Sequence, residues 1–175
     1  MKKLIIALGL MFMSKLSFAF TYTLEITEDE LQSKITAMMP MEKNKFFITV
    51  TLSNPDVDLS VGNNEIGIFS HVEITAPGGV KGTGRAKITG TLSYDPEKKE
   101  FFFKDPKIVS LEADKVPSTF IPKVKEIAQI AANNFLSTRP VYKLTDENLK
   151  HKLAKAALQS VKIENNQLLL ELSVF

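Results

Sequence analysis

From Val80 to Tyr94 the chain alternates without a break. Val80, Gly82, Gly84, Ala86, Ile88, Gly90, Leu92 and Tyr94 fall on one side, and Lys81, Thr83, Arg85, Lys87, Thr89, Thr91 and Ser93 on the other. A period of two predicts a strand with one face in the core. Weaker versions of the pattern flank it. Phe46, Ile48, Val50 and Leu52 share a face, and after Asn54-Pro55 the apolar positions change parity to Val57, Leu59 and Val61. One extra residue switches a strand's faces, so a bulge or bend is expected near Pro55. Ile66, Ile68, Val72, Ile74 and Ala76 predict a further strand, set between turns at Gly62-Asn63-Asn64 and Pro77-Gly78-Gly79. Phe101-Phe102-Phe103, then Ile108, Val109, Leu111 and Ala113, predict a fourth, broken at Asp105-Pro106. Short turns join these four strands, so an antiparallel meander is the economical topology.

Helical spacing frames the meander. Thr27-Glu28-Asp29-Glu30 fits a capping box, and Leu31, Ile35, Met38 and Met39 form a stripe, which predicts a helix over about 28–39 that Pro40 ends. Ser118 to Ser137 reads as a long helix. Pro122 suits its first turn, Val124, Ile127, Ala128, Ile130, Ala131, Phe135 and Leu136 make a wide apolar stripe, and no charge occurs from Ile127 to Ser137. Arg139 to Leu144 is extended. Thr145 caps a further helix over about 146–158, with Leu149, Leu153, Ala156 and Ala157 on one face. Val161 and Ile163, a turn at Glu164-Asn165-Asn166, and Leu168, Leu170, Leu172 and Val174 close the chain as a hairpin.

Together these elements predict an α+β fold: a curved antiparallel sheet wrapped on a long apolar helix, with a short N-terminal helix, a second helix and a C-terminal hairpin. The third strand's small residues leave volume on its inner face. Glycine in a strand marks close approach of a backbone or ligand, or a strong bend. Either a closely approaching helix or an apolar ligand fills that volume, and the pattern leaves both open. The candidate binding residues are Gly82, Gly84, Ala86, Ile88 and Leu92 on the strand and Ile127, Ile130, Ala131 and Phe135 on the helix.

The first nineteen residues read as an address. Met1-Lys2-Lys3 is a positive start, Leu4 to Met13 is an apolar run too short to span a bilayer, and Ser17-Phe18-Ala19 puts small residues before a cut at Phe20. Residues 1–19 are thus expected to be a cleaved secretory signal of bacterial type, and 20–175 a single periplasmic domain. The cut changes the charge. It removes Lys2, Lys3 and Lys15 from 22 basic residues and leaves 19 against 20 acidic ones, a net charge of −1. That balance gives no cationic excess for nucleic acid. The chain has no cysteine, which excludes disulfides, thiolate metal sites, a thiol nucleophile and a lipidated cysteine anchor.

Candidate chemistry is sparse. His71 and Glu73 share a strand face, but two ligands do not make a zinc site. His151, between Lys150 and Lys152, is expected to be exposed. Asp56 with Asp58 and Asp29 with Glu30 suit turns and caps. No Gly-x-Ser-x-Gly elbow occurs, and Gly78 to Gly84 opens a strand where a phosphate loop must open a helix. These observations argue against an enzyme and against a bound metal or cofactor. Lys81, Arg85 and Lys87 line a polar strand face that either is simply solvated or makes transient contact with anionic lipid headgroups.

With the glycine-rich third strand and the ending Val161-Lys162-Ile163 … Leu168-Leu169-Leu170-Glu171-Leu172, the order of elements resembles the YceB-like family of bacterial envelope proteins over about 20–175. The resemblance implies a fold similar to one half of the tubular lipid-binding (TULIP) modules, where a curved sheet wraps a long helix and leaves an apolar groove. Many relatives are lipoproteins, whereas position 20 here is Phe20, which implies a soluble periplasmic protein. The expected function is non-catalytic binding of a lipid or fatty-acyl chain. The rival expectation is a protein-interaction module that recruits a partner through a sheet edge or the Phe101–Phe103 strand.

Overall fold

The computed structural model describes residues 20–174; the expected signal segment lies outside them. The element order is β1 (Phe20–Thr27), α1 (Glu28–Thr36), β2 (Met41–Lys45), β3 (Ile48–Asp58), β4 (Glu65–Ala76), β5 (Val80–Asp95), β6 (Glu100–Asp114), α2 (Ile121–Leu136), β7 (Pro140–Lys143), α3 (Leu149–Ala157), β8 (Leu158–Glu164) and β9 (Gln167–Val174). The fold is α+β. Strands β2 to β7 form a six-stranded antiparallel sheet in chain order, curled into a half-barrel, and β1, β9 and β8 form a second, three-stranded sheet.

The meander of β3 to β6 stands as the alternation predicts. The parity change at Pro55 is a real irregularity: Ser53 pairs with His71 and Asp56 with Phe69, so the β3–β4 register shifts between them. Two more irregularities bend β6. Lys87 faces Ser110 while Ile88 faces Ile108, which leaves Val109 over, and Thr89 faces Lys107 while Thr91 faces Lys104. The second lies at Asp105-Pro106, where Asp105 has φ 49°. Bulges increase local twist, and three of them help curl the sheet.

Each proline bulge is mended by a glutamine from a helix. Gln32 of α1 donates from Nε2 to the Pro55 carbonyl at 2.7 Å and accepts the Val57 N–H at 2.7 Å. Gln129 of α2 donates to the Pro106 carbonyl at 2.6 Å and accepts the Ile108 N–H at 2.9 Å. A carboxamide offers the same donor and acceptor as a strand neighbour, so each bulge keeps its backbone groups paired. Both helices are thereby locked to a fixed point on the sheet.

α1 begins as expected and ends early, and the other two helices differ from expectation at both ends. α1 has the full capping box: Thr27 Oγ1 accepts the Glu30 N–H at 3.3 Å, and Glu30 Oε2 accepts the Thr27 N–H at 3.1 Å. It stops at Thr36, short of Met38 and Met39, which are half-buried. α2 runs over Ile121–Leu136 after a single tight turn at Ser118–Phe120. α3 starts at Leu149 and is capped by Asn148, whose side chain accepts the Lys150 N–H at 2.9 Å, so Thr145 is not its cap. The apolar face predicted for α3 is turned largely outward. Leu149 is 72% and Leu153 42% exposed, and Ala154 is the buried residue.

Three elements escape the sequence pattern or alter it. β1, in a stretch given no assignment above, pairs with β9 along its length, Leu24 opposite Leu170 and Ile26 opposite Leu168. β2 adds an edge strand before β3, Met41 opposite Leu52. Phe46 and Phe47 belong to the turn between β2 and β3 and not to a strand face.

The buried apolar residues form one core. It draws on α1 (Leu31, Ile35), the inner face of the large sheet (Val50, Ile68, Ile88, Phe101, Phe103), α2 (Val124, Ile127, Ala131) and β9 (Leu168, Leu170). Both sheets meet in it.

Candidate functional site

The candidate binding residues fall into two groups. Gly82, Ala86, Ile88, Ile127 and Ala131 are buried, while Gly84, Leu92, Ile130 and Phe135 are half-buried. α2 packs against β2, β3 and β6. Of the predicted stripe, Val124, Ile127, Ala128, Ala131 and Leu136 are buried, Ala132 joins them unpredicted, and Ile130 and Phe135 are not fully covered. Ile130 and Phe135 flank that stripe, and the Arg139 guanidinium lies over the Phe135 ring at 5.2 Å.

The small residues of β5 are explained by the neighbouring strand. A side chain at Gly84 would run into the Glu112 carbonyl of β6, and one at Gly90 into the Phe103 ring. The strand next door, not α2 and not a ligand, takes the space along these two glycines. Ala86 is fully buried between Ser70 and Leu111 of the adjacent strands. Ala86→Leu is therefore expected to overpack the site and to cost about 1–3 kcal/mol. Urea denaturation measures it; equal or greater stability would show unfilled volume at this position.

The hollows of the described surface lie on the polar side of the sheet and touch only Gly82, Gly84 and Ala86 of the candidate residues. One of about 360 Å³ is bounded by Glu73, Thr75, Lys81, Gly82, Thr83 and Lys115, and one of about 480 Å³ by Ser93, Tyr94, Lys98, Phe102, Lys104 and Thr138. The second is lined largely by polar surface, and Ile74 adds apolar surface to the first. Tyr94 packs against Phe101 with the rings tilted and their centroids 4.8 Å apart, and its hydroxyl is buried with no hydrogen-bond partner among the described residues. Burial pushes that phenol's pKa up.

The titratable groups singled out by the sequence are dispersed. His71 Nε2 lies 3.9 Å from Glu73 Oε1, both partly exposed. Arg85 lies 3.6 Å from Asp56, and Arg85 and Lys87 cover the Phe69 ring at 4.8 and 4.9 Å. Much of this basic row is thus engaged on its own sheet. Among the described residues no group of three His, Asp or Glu side chains is placed to hold a metal ion.

His151 departs from its expected exposure. It is half-buried against Tyr142 of β7, with ring centroids 5.9 Å apart. Its Nδ1 accepts the Thr145 N–H at 3.2 Å, which puts the neutral ring's proton on Nε2, 3.3 Å from the Tyr142 hydroxyl. Burial lowers the His151 pKa, and the Glu30 carboxylate opposes the shift. Burial, with Glu30 adding, pushes Tyr142 up to about 12. Both groups are neutral at pH 7, and the cluster ties α3 to β7. Sequence reasoning missed it because the three residues come from separate elements and follow no spacing rule.

A comparison with curated proteins finds no match. A family model does match, over residues 26–167, which takes in every element from α1 to β8 and the last two residues of β1. The chain belongs to the family described as "Protein of unknown function (DUF1439)".

Proposed function

We propose that this protein is a non-catalytic binder of an apolar ligand, a lipid or fatty-acyl chain, held at the seam between the curled sheet and α2. The observation that carries the reading is the apolar surplus of α2. Beyond the stripe that the sheet buries, Ile130 and Phe135 stay half-exposed, and no charge interrupts the helix from Ile127 to Ser137. A surface helix normally places charge there. A curled sheet with α2 packed against three of its strands is the arrangement expected of the TULIP-like architecture that the YceB-like resemblance implies. Because β6 closes the glycine-rich part of β5, the ligand's seat lies at the half-exposed rim of Leu92, Ile130 and Phe135, away from the buried middle.

The site operates in the periplasm on this reading. A cut after Ala19 would leave the whole of β1 (Phe20–Thr27) in the mature chain. No helix among the described residues is long and apolar enough to cross a membrane. The test is titration with a fluorescent fatty acid. The native protein should bind it saturably, and Ile130→Glu should weaken binding about tenfold or more by placing a charge in the seat. Equal affinity in Ile130→Glu would move the seat off α2.

A second reading is favoured by β6. β7 pairs only with Glu100, Phe101 and Phe102, so the outer edge of β6 runs on beyond it, and Gln129 engages only Pro106 and Ile108. A partner strand could add to the remainder. The Phe101–Phe103 segment itself would not be the contact, since Phe101 and Phe103 are fully buried.

A further inference from the structure

Two hairpins of this chain close with two-residue turns, and their chemistry differs. In β8–β9, Glu164 faces Gln167 across Asn165 (φ 52°) and Asn166 (φ 59°). In β2–β3, Lys45 faces Ile48 across Phe46 (φ 56°) and Phe47 (φ 61°). Two successive positive φ angles suit Asn and Gly, and strain a bulky side chain. The core gains little from these rings, since Phe46 is 55% and Phe47 88% exposed. Turn chemistry is overridden twice, at a protruding tip, by a strongly apolar residue. Strain of this kind points to a use.

Cations surround the tip. The Lys45 and Lys123 ammonium groups each lie 4.8 Å from the Phe46 ring centroid, and Glu126 bridges them at 2.9 and 3.1 Å. Lys43 shares the face of β2 with Lys45, and Lys125 is exposed on the first turns of α2. Two lysines thus share one bridging carboxylate beside two unburied rings, and Lys43 and Lys125 add charge on the same two elements.

We infer that the Phe46–Phe47 tip docks on the surface of an anionic lipid bilayer. The rings enter the interfacial layer and the lysines meet lipid phosphates. An apolar pocket in a partner protein would account for the rings and leave the lysines unmatched. An anionic headgroup layer over an apolar interior accounts for both. The docking goes beyond the proposed acyl-chain seat and does not require it, because the tip needs no ligand in the seam.

The test is co-sedimentation of the protein with two kinds of vesicle, pure phosphatidylcholine and an equal mixture of phosphatidylcholine and phosphatidylglycerol. The native protein should bind the mixed vesicles and bind the pure ones far more weakly. The double variant Phe46→Asn/Phe47→Gly restores favoured turn residues, so it should melt no lower than the native protein while vesicle binding falls about tenfold or more. Phe47→Ser, at the more exposed position, gives a second and milder probe. Lys43→Gln and Lys125→Gln should each weaken binding to the mixed vesicles by about fivefold. Equal binding to both vesicles, or unchanged binding in the Phe variants, would overturn the inference. So would a native protein that ignores both vesicles, including one that instead forms dimers abolished by Phe46→Asn/Phe47→Gly.

Discussion

Ile127→Ala is expected to lower stability by about 2–5 kcal/mol. Ile127 is fully buried on α2, the helix that faces β2, β3 and β6. Its truncation removes apolar area from the one core that both sheets share and leaves a cavity that close-packed neighbours fill only in part. Domains of this size have a total stability of about 5–15 kcal/mol, so the loss is a large share of the whole. The melting temperature should drop by about 4–20 °C. Thermal unfolding followed by circular dichroism measures it, and an unchanged midpoint would mean that this face of α2 is not core.

Gln129→Leu is the second large effect, expected at about 2–5 kcal/mol. Leucine fills a similar volume and keeps water out, but it offers neither donor nor acceptor. The Ile108 N–H and the Pro106 carbonyl lose their partner together, on residues that are both buried. Gln129→Glu separates the two bonds. A carboxylate still accepts from Ile108 and cannot donate to Pro106, so its cost should fall between those of the native chain and Gln129→Leu. Chemical denaturation ranks the three. Equal stability of all three proteins would show that the glutamine does not hold the bulge.

The glutamine pairs also mark the limit of what the sequence discloses. Alternation in 80–94 and the parity change at Pro55 are local signals, and they located β5 and the β3 bulge. Nothing local reveals that Gln32 and Gln129 serve those bulges, because each partner lies more than twenty residues away. β2 is hidden for a different reason. Met41-Glu42-Lys43-Asn44-Lys45 has one apolar side chain, so its pattern has no amplitude, and its place in the sheet comes from pairing with β3. Phe46 and Phe47 then mimic the start of a strand because apolar residues at a turn break the usual rule. α3 misled in the same way: its Leu149 and Leu153 form an apolar stripe that faces outward, while Ala154 and His151 make the contacts that hold the helix.

The candidate site was legible in part. The buried stripe of α2 followed from spacing alone. The small face of β5 was legible as a close approach, but its cause was not, since only the curl of the sheet brings the Glu112 carbonyl beside Gly84. That correction shifts the proposed ligand from the middle of the strand to the rim of α2, where apolar residues remain half-exposed.

The acyl-chain reading is tested most directly by native mass spectrometry of the protein isolated from the cell envelope without detergent, followed by organic extraction. The account predicts a chain beginning at Phe20 that carries an additional mass, recovered in the extract as a lipid or fatty acid. A protein that retains Met1 to Ala19, or one that carries no extractable lipid and binds no fatty-acid probe, would contradict it.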